Sequence, residues 1–153
     1  MLVKLICVGK IKENYLVSGI SEYLKRIKPF CDLVIYEVKE MNTNDINKNI
    51  IEEGNLILTN IKNDDFVITL ELDGKNISSV ELSDLISNHH TYNNSNITFV
   101  IGGSDGLSID VKNKSNYKLS FGKMTYPHQL MRMILLEQIY RAFMIANNKK
   151  YHK

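Results

Sequence analysis

The sequence has little of what marks a metal, disulfide or membrane protein. It carries two cysteines, Cys7 and Cys31, with no Cys-x-x-Cys pair and no histidines at the spacing that would complete a zinc set. Both lie in or beside apolar stretches, so they are expected to be buried, reduced thiols. No apolar run reaches the roughly 18 residues that a membrane span needs. The opening MLVKLICVGK is apolar but short, no small-residue cleavage site follows, and Lys10, Lys12 and Glu13 come next. It reads as a first strand of a cytoplasmic chain. No Gly-Lys-Ser/Thr follows the glycine cluster Gly102-Gly103-Ser104-Asp105-Gly106, which excludes a P-loop. Its glycine spacing, and its place after the fourth strand instead of the first, exclude the dinucleotide fingerprint as well.

Acids are scarce in one region. Residues 112–153 hold nine Lys+Arg and one acid, Glu137, a balance of +8. Residues 1–111 hold ten Lys+Arg against sixteen Asp+Glu, a balance of −6, and the two sum to the net +2. A basic C-terminal quarter on an acidic body predicts an anionic partner.

What is present suits one folded domain over residues 1–153, with 44% hydrophobic and 24% charged residues. Apolar, β-branched runs predict strands at 2–8, 33–38, 66–72, 97–101 and 117–121. Helical spacing predicts helices at 13–27, 46–61, 107–114 and 127–146, and another behind Ser78-Ser79, where Glu81 completes a capping box. Residues 41–49 are Asn-rich and read as a mobile connection, Gly54 as a weak point in its helix, Asp73-Gly74 as a turn, and 93–96 as a loop. His89-His90 ends a helix, where a favourable charge or plain solvent exposure is expected instead of a metal site. Strands alternating with helices predict an α/β fold, a mostly parallel sheet with helices on both faces.

Three strand ends look alike: 70–74, 101–106 and 121–126. In an open parallel sheet ligands gather at the carboxyl ends of strands, so these loops are expected to form one pocket. It is expected to be rich in backbone donors and acceptors and poor in charge, suited to a flat, uncharged ring such as adenine. His128, at a helix start after Pro127, can donate or accept a hydrogen bond there. The last helix is apolar almost all round. That suits either a deeply buried core helix or, as the preferred reading, a homodimer interface. Glu137 and Arg141 stand i, i+4 and can pair. The end, Tyr151-His152-Lys153, combines a ring, an imidazole and a cation, a set that suits a splayed-out RNA base and its phosphate.

The chain resembles the small SPOUT-class RNA methyltransferases of the RlmH type, the large-subunit ribosomal RNA pseudouridine N3-methyltransferases. The residues that carry the match are Val8-Gly9-Lys10, Leu70-Glu71-Leu72-Asp73-Gly74-Lys75, Phe99-Val100-Ile101-Gly102-Gly103 with Gly106, and the block from Ser115 to Ala142. Within that block the match runs through Lys123-Met124-Thr125, Pro127-His128-Gln129, Arg132, Glu137-Gln138 and Tyr140-Arg141-Ala142, and the terminal Tyr151-His152-Lys153 also fits.

The resemblance implies a homodimer with a C-terminal trefoil knot, S-adenosyl-L-methionine as cofactor and no metal or membrane. Carried over by position, it implies cofactor contacts at Leu70, Gly102, Gly103, Phe121, Gly122, Lys123, Met124, Thr125 and Tyr126. It implies that His152 and Tyr151 act on the base over the partner subunit's cofactor. RNA would be held by His128, Arg132, Arg141 and Lys153, the substrate being 23S large-subunit ribosomal RNA, in an assembled ribosome. The alternative from another class is a non-catalytic ribosome- or RNA-binding homodimer without a cofactor.

Overall fold

The computed structural model describes residues 1–93 and 95–153. Five strands, β1 (Leu2–Val8), β2 (Asp32–Val38), β3 (Phe66–Asn76), β4 (Ile97–Ile101) and β5 (Tyr117–Ser120), form one sheet in the order β2-β1-β4-β3-β5. Every pairing is parallel. The helices are α1 (Asn14–Ile27), α2 (Ile46–Thr59), α3 (Ser79–Asn88), α4 (Ile109–Lys114) and α5 (His128–Ala146).

The strands alternate their side chains between two cores. Val3, Leu5, Cys7, Phe99, Ile101 and Ile68 point to the face where α5 lies between α1 and α3. Ile6, Val8, Val67 and Val100 point to the other face, under α2 and α4. The central strands are buried on both sides, so their sequences read as unbroken apolar runs. One exception is Lys4, 3% exposed, which ion-pairs with buried Asp65 and donates to the Asn60 carbonyl. Cys7 and Cys31 are both buried and free.

Helix α5 is covered by the sheet, α1 and α3, which bury Met131, Leu135, Leu136, Ile139, Ala142 and Phe143. The Ser83 hydroxyl donates to the Ala142 carbonyl at 2.8 Å and Ser79 donates to Gln138 at 2.7 Å, tying α3 to α5. On the other side Gly19 of α1 lets Met133 come close: a Cβ there would lie 2.4 Å from its sulfur.

Several local expectations change. Residues 41–45 are tied down: the Met41 amide donates to Glu53 at 2.9 Å, and buried Asn49 binds the Thr43 hydroxyl, amide and carbonyl. The α2 cap is Asp45, which accepts from the Lys48 amide. Gly54 is a close-packing site, since a Cβ there would meet the Ser108 hydroxyl at 2.3 Å. The capping box at Ser78 and Glu81 is present as expected. Of the pair expected to end the helix, His90 is exposed as expected and His89 is half-buried. It opens a π-helical turn, His89–Asn93, stacks on Phe66 at 3.5 Å, and burial lowers its pKa. Of the expected loop 93–96, residue 94 lies outside the described residues.

Asp73-Gly74 is not a terminal turn. Leu119 of β5 pairs with both Leu70 and Lys75, so residues 71–74 leave the ladder and β3 then rejoins the same strand. Gly74 is needed there for space: a Cβ would sit 2.6 Å from the Lys118 carbonyl oxygen and 2.8 Å from the Leu119 carbonyl carbon.

Candidate active site

The carboxyl ends of β3, β4 and β5 enclose a cavity of about 370 Å³, within the range of small-ligand sites. Each wall is built by a local device. The 71–74 excursion of β3 supplies one. After β4, the Gly106 amide donates to Gly103 at 3.1 Å, and Gly106 has φ +90°. After β5, the Ser120 hydroxyl accepts from the Gly122 amide and lies 3.1 Å from the carbonyls of Leu72 and Gly122, pinning two walls together. Gly122 has φ +107° with open space where a Cβ would be, so its backbone is presented bare.

The walls place together Leu70, Gly102, Gly103, Phe121, Gly122, Met124, Thr125, Tyr126 and His128, nine of the expected site residues. Lys123 is exposed and does not line the cavity. Glu71 and Asp73 line it within the expected wall 70–74, though their charge was not weighed, and Lys112, which sequence reasoning missed, lines it too. The cavity is therefore not poor in charge. The missed signal was an acid at each alternate position beyond Leu70, Glu71 and Asp73, at the carboxyl end of a strand. Glu71 is fixed by Thr69, whose fully buried hydroxyl donates to Oε2 at 2.6 Å and lies 2.7 Å from Ser115. Lys112 Nζ stands 3.9 Å from the other oxygen, Oε1.

Under the glycine loop lies Glu53, 2% exposed. Its Oε1 has no partner and faces Gly103, where a Cβ would come within 3.2 Å. Burial, chiefly, pushes its carboxyl above the usual range, although the Met41 amide opposes this. At the rim Glu40 accepts from Ser104 at 3.2 Å and lies 3.9 Å from His128 Nε2, while His128 Nδ1 is buried without a partner.

Arg132 corrects the expectation that it holds RNA phosphate. It is 2% exposed, pairs with Glu37 at 2.7 Å and donates to the Gly9 carbonyl at 3.0 Å. It clamps the start of α5 to the ends of β1 and β2.

The tail is folded onto α5. Glu137 Oε1 accepts from Arg141 at 2.5 Å and from the Tyr151 hydroxyl at 3.1 Å. The Tyr151 ring packs edge-on to Tyr140 at 4.9 Å, under the Arg141 guanidinium at 4.7 Å. Burial, then the bond to Glu137, raises the Tyr151 pKa, so this phenol stays protonated at neutral pH. Arg141 Nη1 lies 3.3 Å from His152 Nδ1. A guanidinium only donates, so in that contact Nδ1 is the acceptor and a neutral ring carries its proton on Nε2. His152 and Lys153 are exposed. Glu137 and Arg141 stand about 14 and 20 Å along the helix from His128, and none of the tail residues lines the cavity of its own chain.

Residues 1–152 match the family model described as "Predicted SPOUT methyltransferase". The chain belongs to the SPOUT methyltransferase family. It is 54% identical over 159 aligned residues to a Clostridium botulinum (strain Hall) protein named "Ribosomal RNA large subunit methyltransferase H", covering 100% of both chains. A protein of the same name from Carboxydothermus hydrogenoformans is 50% identical, again over 100% of each. A solved structure of a probable methylase family protein from Haemophilus influenzae shares the fold at TM-score 0.55 and 16% identity. It is matched over 99% of this chain and 70% of that one. Among the described residues no helix is long and apolar enough to cross a membrane, and no cluster of His, Cys, Asp and Glu could hold a metal.

Proposed function

We propose that this SPOUT methyltransferase transfers a methyl group from S-adenosyl-L-methionine to N3 of a pseudouridine in 23S ribosomal RNA. It acts in the cytoplasm as a homodimer on an assembled ribosome. Residues 1–153 form one domain with the family's C-terminal trefoil knot. The observation that carries the cofactor reading is the cavity shared by the ends of β3, β4 and β5. The relatives' printed name supports the ribosomal substrate. The close passage of Gly74 over the β5 backbone is in keeping with a knotted connection.

The cavity suits the cofactor on its own chemistry. Leu70, Ile101, Leu107, Leu119 and Phe121 offer apolar walls for a purine. At Gly102 a Cβ would crowd the Gly106 carbonyl carbon at 3.0 Å, so the bare backbone there is part of the cradle. Glu71 and Asp73 against Lys112 leave the cavity acidic, which favours a ligand with net positive charge. When bound, the cofactor supplies a methyl group on a cationic sulfur.

The remaining work falls to side chains. Because the tail does not line its own cavity, His152 and Tyr151 serve the partner's site. Tyr151 stays protonated and holds the tail to Glu137. His152, released from Arg141, offers one ring nitrogen to take the N3 proton as the methyl group moves to N3 and S-adenosylhomocysteine leaves. Much of the rate comes from alignment of the two reactants. Arg141, His128 and Lys153 meet the RNA, and Arg132 does not.

The test is methyl transfer from labelled S-adenosyl-L-methionine to ribosomes, with the modified nucleoside identified by mass spectrometry. The proposal expects N3-methylpseudouridine in large-subunit RNA with wild-type protein and little with His152→Ala. No transfer to ribosomes or subunits, with no thermal stabilisation by the cofactor, would refute it in favour of a binding dimer.

A further inference from the structure

Within the cavity one pair of charges is arranged differently from a surface ion pair. Glu71 sits on the 71–74 excursion with its side chain 11% exposed, and Thr69 fixes one of its carboxylate oxygens. The Thr69 hydroxyl is itself fully buried and set against Ser115, which donates to the Tyr117 carbonyl at 2.9 Å. The anchor therefore rests on β3 and on Ser115, two positions before β5. Oε2 is the oxygen Thr69 holds, and Oε1 is the one nearest Lys112. Lys112, on α4, approaches that oxygen to 3.9 Å with its side chain 40% exposed. This separation is too long for a hydrogen bond. A held carboxylate and an adjustable ammonium thus stand side by side, unbonded, on one wall of a small-ligand site.

We infer that Glu71 and Lys112 form the subsite for a zwitterionic α-amino-acid end of the ligand, Glu71 taking its ammonium and Lys112 its carboxylate. The inference rests on the cofactor reading above and assigns one end of that molecule to two side chains of this protein. Opposite charges on a zwitterion match the pair in number and sign. Binding there replaces one weak contact with two charge-assisted hydrogen bonds, the stronger kind. Thr69 acts as a positioning residue, holding Glu71 so that the carboxylate does not swing toward Lys112.

Isothermal titration of wild type, Glu71→Gln and Lys112→Met with three ligands tests this. S-adenosyl-L-methionine has the sulfonium and the amino-acid end. S-adenosylhomocysteine has the amino-acid end alone, and 5′-methylthioadenosine has neither. Wild type is expected to prefer S-adenosylhomocysteine over 5′-methylthioadenosine by roughly 10-fold or more, and each variant to lose most of that preference while binding 5′-methylthioadenosine as before. Equal loss for both ligands, or an unchanged preference, would overturn the inference. So would a loss at Glu71→Gln confined to S-adenosyl-L-methionine, which would mean that Glu71 reads the sulfonium. Lys112 is exposed enough that its variant tests the subsite even where Glu71→Gln disturbs the fold. Failure of wild type to bind any of the three would overturn the cofactor reading and this inference together.

Discussion

Arg132→Met separates a structural arginine from an RNA-binding one. The guanidinium is 2% exposed, with Nη1 on Glu37 at 2.7 Å and Nη2 on the Gly9 carbonyl at 3.0 Å. Methionine fills much of the same space, so the change is mainly polar. The Gly9 carbonyl loses its buried donor, which costs about 1–3 kcal/mol. Glu37 is 37% exposed and can rehydrate, so its lost partner adds about 1 kcal/mol or less. Arg132 Nε is buried without a partner, and its removal returns part of the total. The net is about 2–3 kcal/mol, a fall in Tm on the order of 8 °C for a domain of this size. Thermal unfolding by circular dichroism measures the fall, and RNA affinity across a salt series completes the assay. Folded Arg132→Met is expected to keep the wild-type salt slope. A Tm within about 2 °C of wild type, with a slope shallower by about one, would refute the argument and restore Arg132 as a phosphate contact.

Three further perturbations probe the site. Gly74→Ala is expected to cost about 1–3 kcal/mol, because the new Cβ meets β5 backbone that cannot rotate away; an unchanged Tm would show that β3 and β5 do not pass so closely. Glu53→Gln is expected to stabilise the protein at pH 7. Burial raises the folded-state pKa of Glu53, so its contribution is complete below the unfolded value of about 4.3 and falls as pH rises through the folded one. The advantage of the variant should therefore vanish toward pH 4, and a pH-independent difference in denaturant midpoints would refute it. Cys7 and Cys31 are both pushed up to about 12, chiefly by burial, so both should resist alkylation of the native protein at pH 8 and react once it is unfolded; rapid native labelling, read by mass spectrometry, would contradict this.

Much of the fold was legible because the deciding interactions are local. The strand at 97–101 is apolar but for the β-branched Thr98, and the helix behind Ser78 carries both halves of its cap within four residues. The convergence of three loops followed from a general property of parallel sheets. What was not legible depends on distant partners. Asp-Gly has turn chemistry locally, yet residues 75 and 76 rejoin β5, with Asn76 and Ser120 separated by 44 positions. Arg132 reads as one more cation in a basic region, and the partners that turn it inward, Glu37 and the Gly9 carbonyl, stand 95 and 123 positions away. The charge of the cavity was hidden in the same way. Glu71 lies in a run that reads as plain strand; Thr69 holds it from two positions away, but Lys112 and Ser115, which complete the arrangement, stand 41 and 44 positions from it.

The cavity draws its walls from residues 70–73, 101–107 and 119–131, so it does not exist until the last strand has paired and the last helix has begun. A nascent chain emerges from its N-terminus, and here the final wall, starting at residue 119 of 153, follows more than three quarters of the sequence. Ligand capture is thus confined to nearly finished molecules. A copy truncated before β5 would lack most of the basic C-terminal quarter as well as the cavity, and so be ready for neither nucleic acid nor the small molecule. Bound ligand would join three segments far apart in the chain and slow the departure of β5, the edge strand held only by β3.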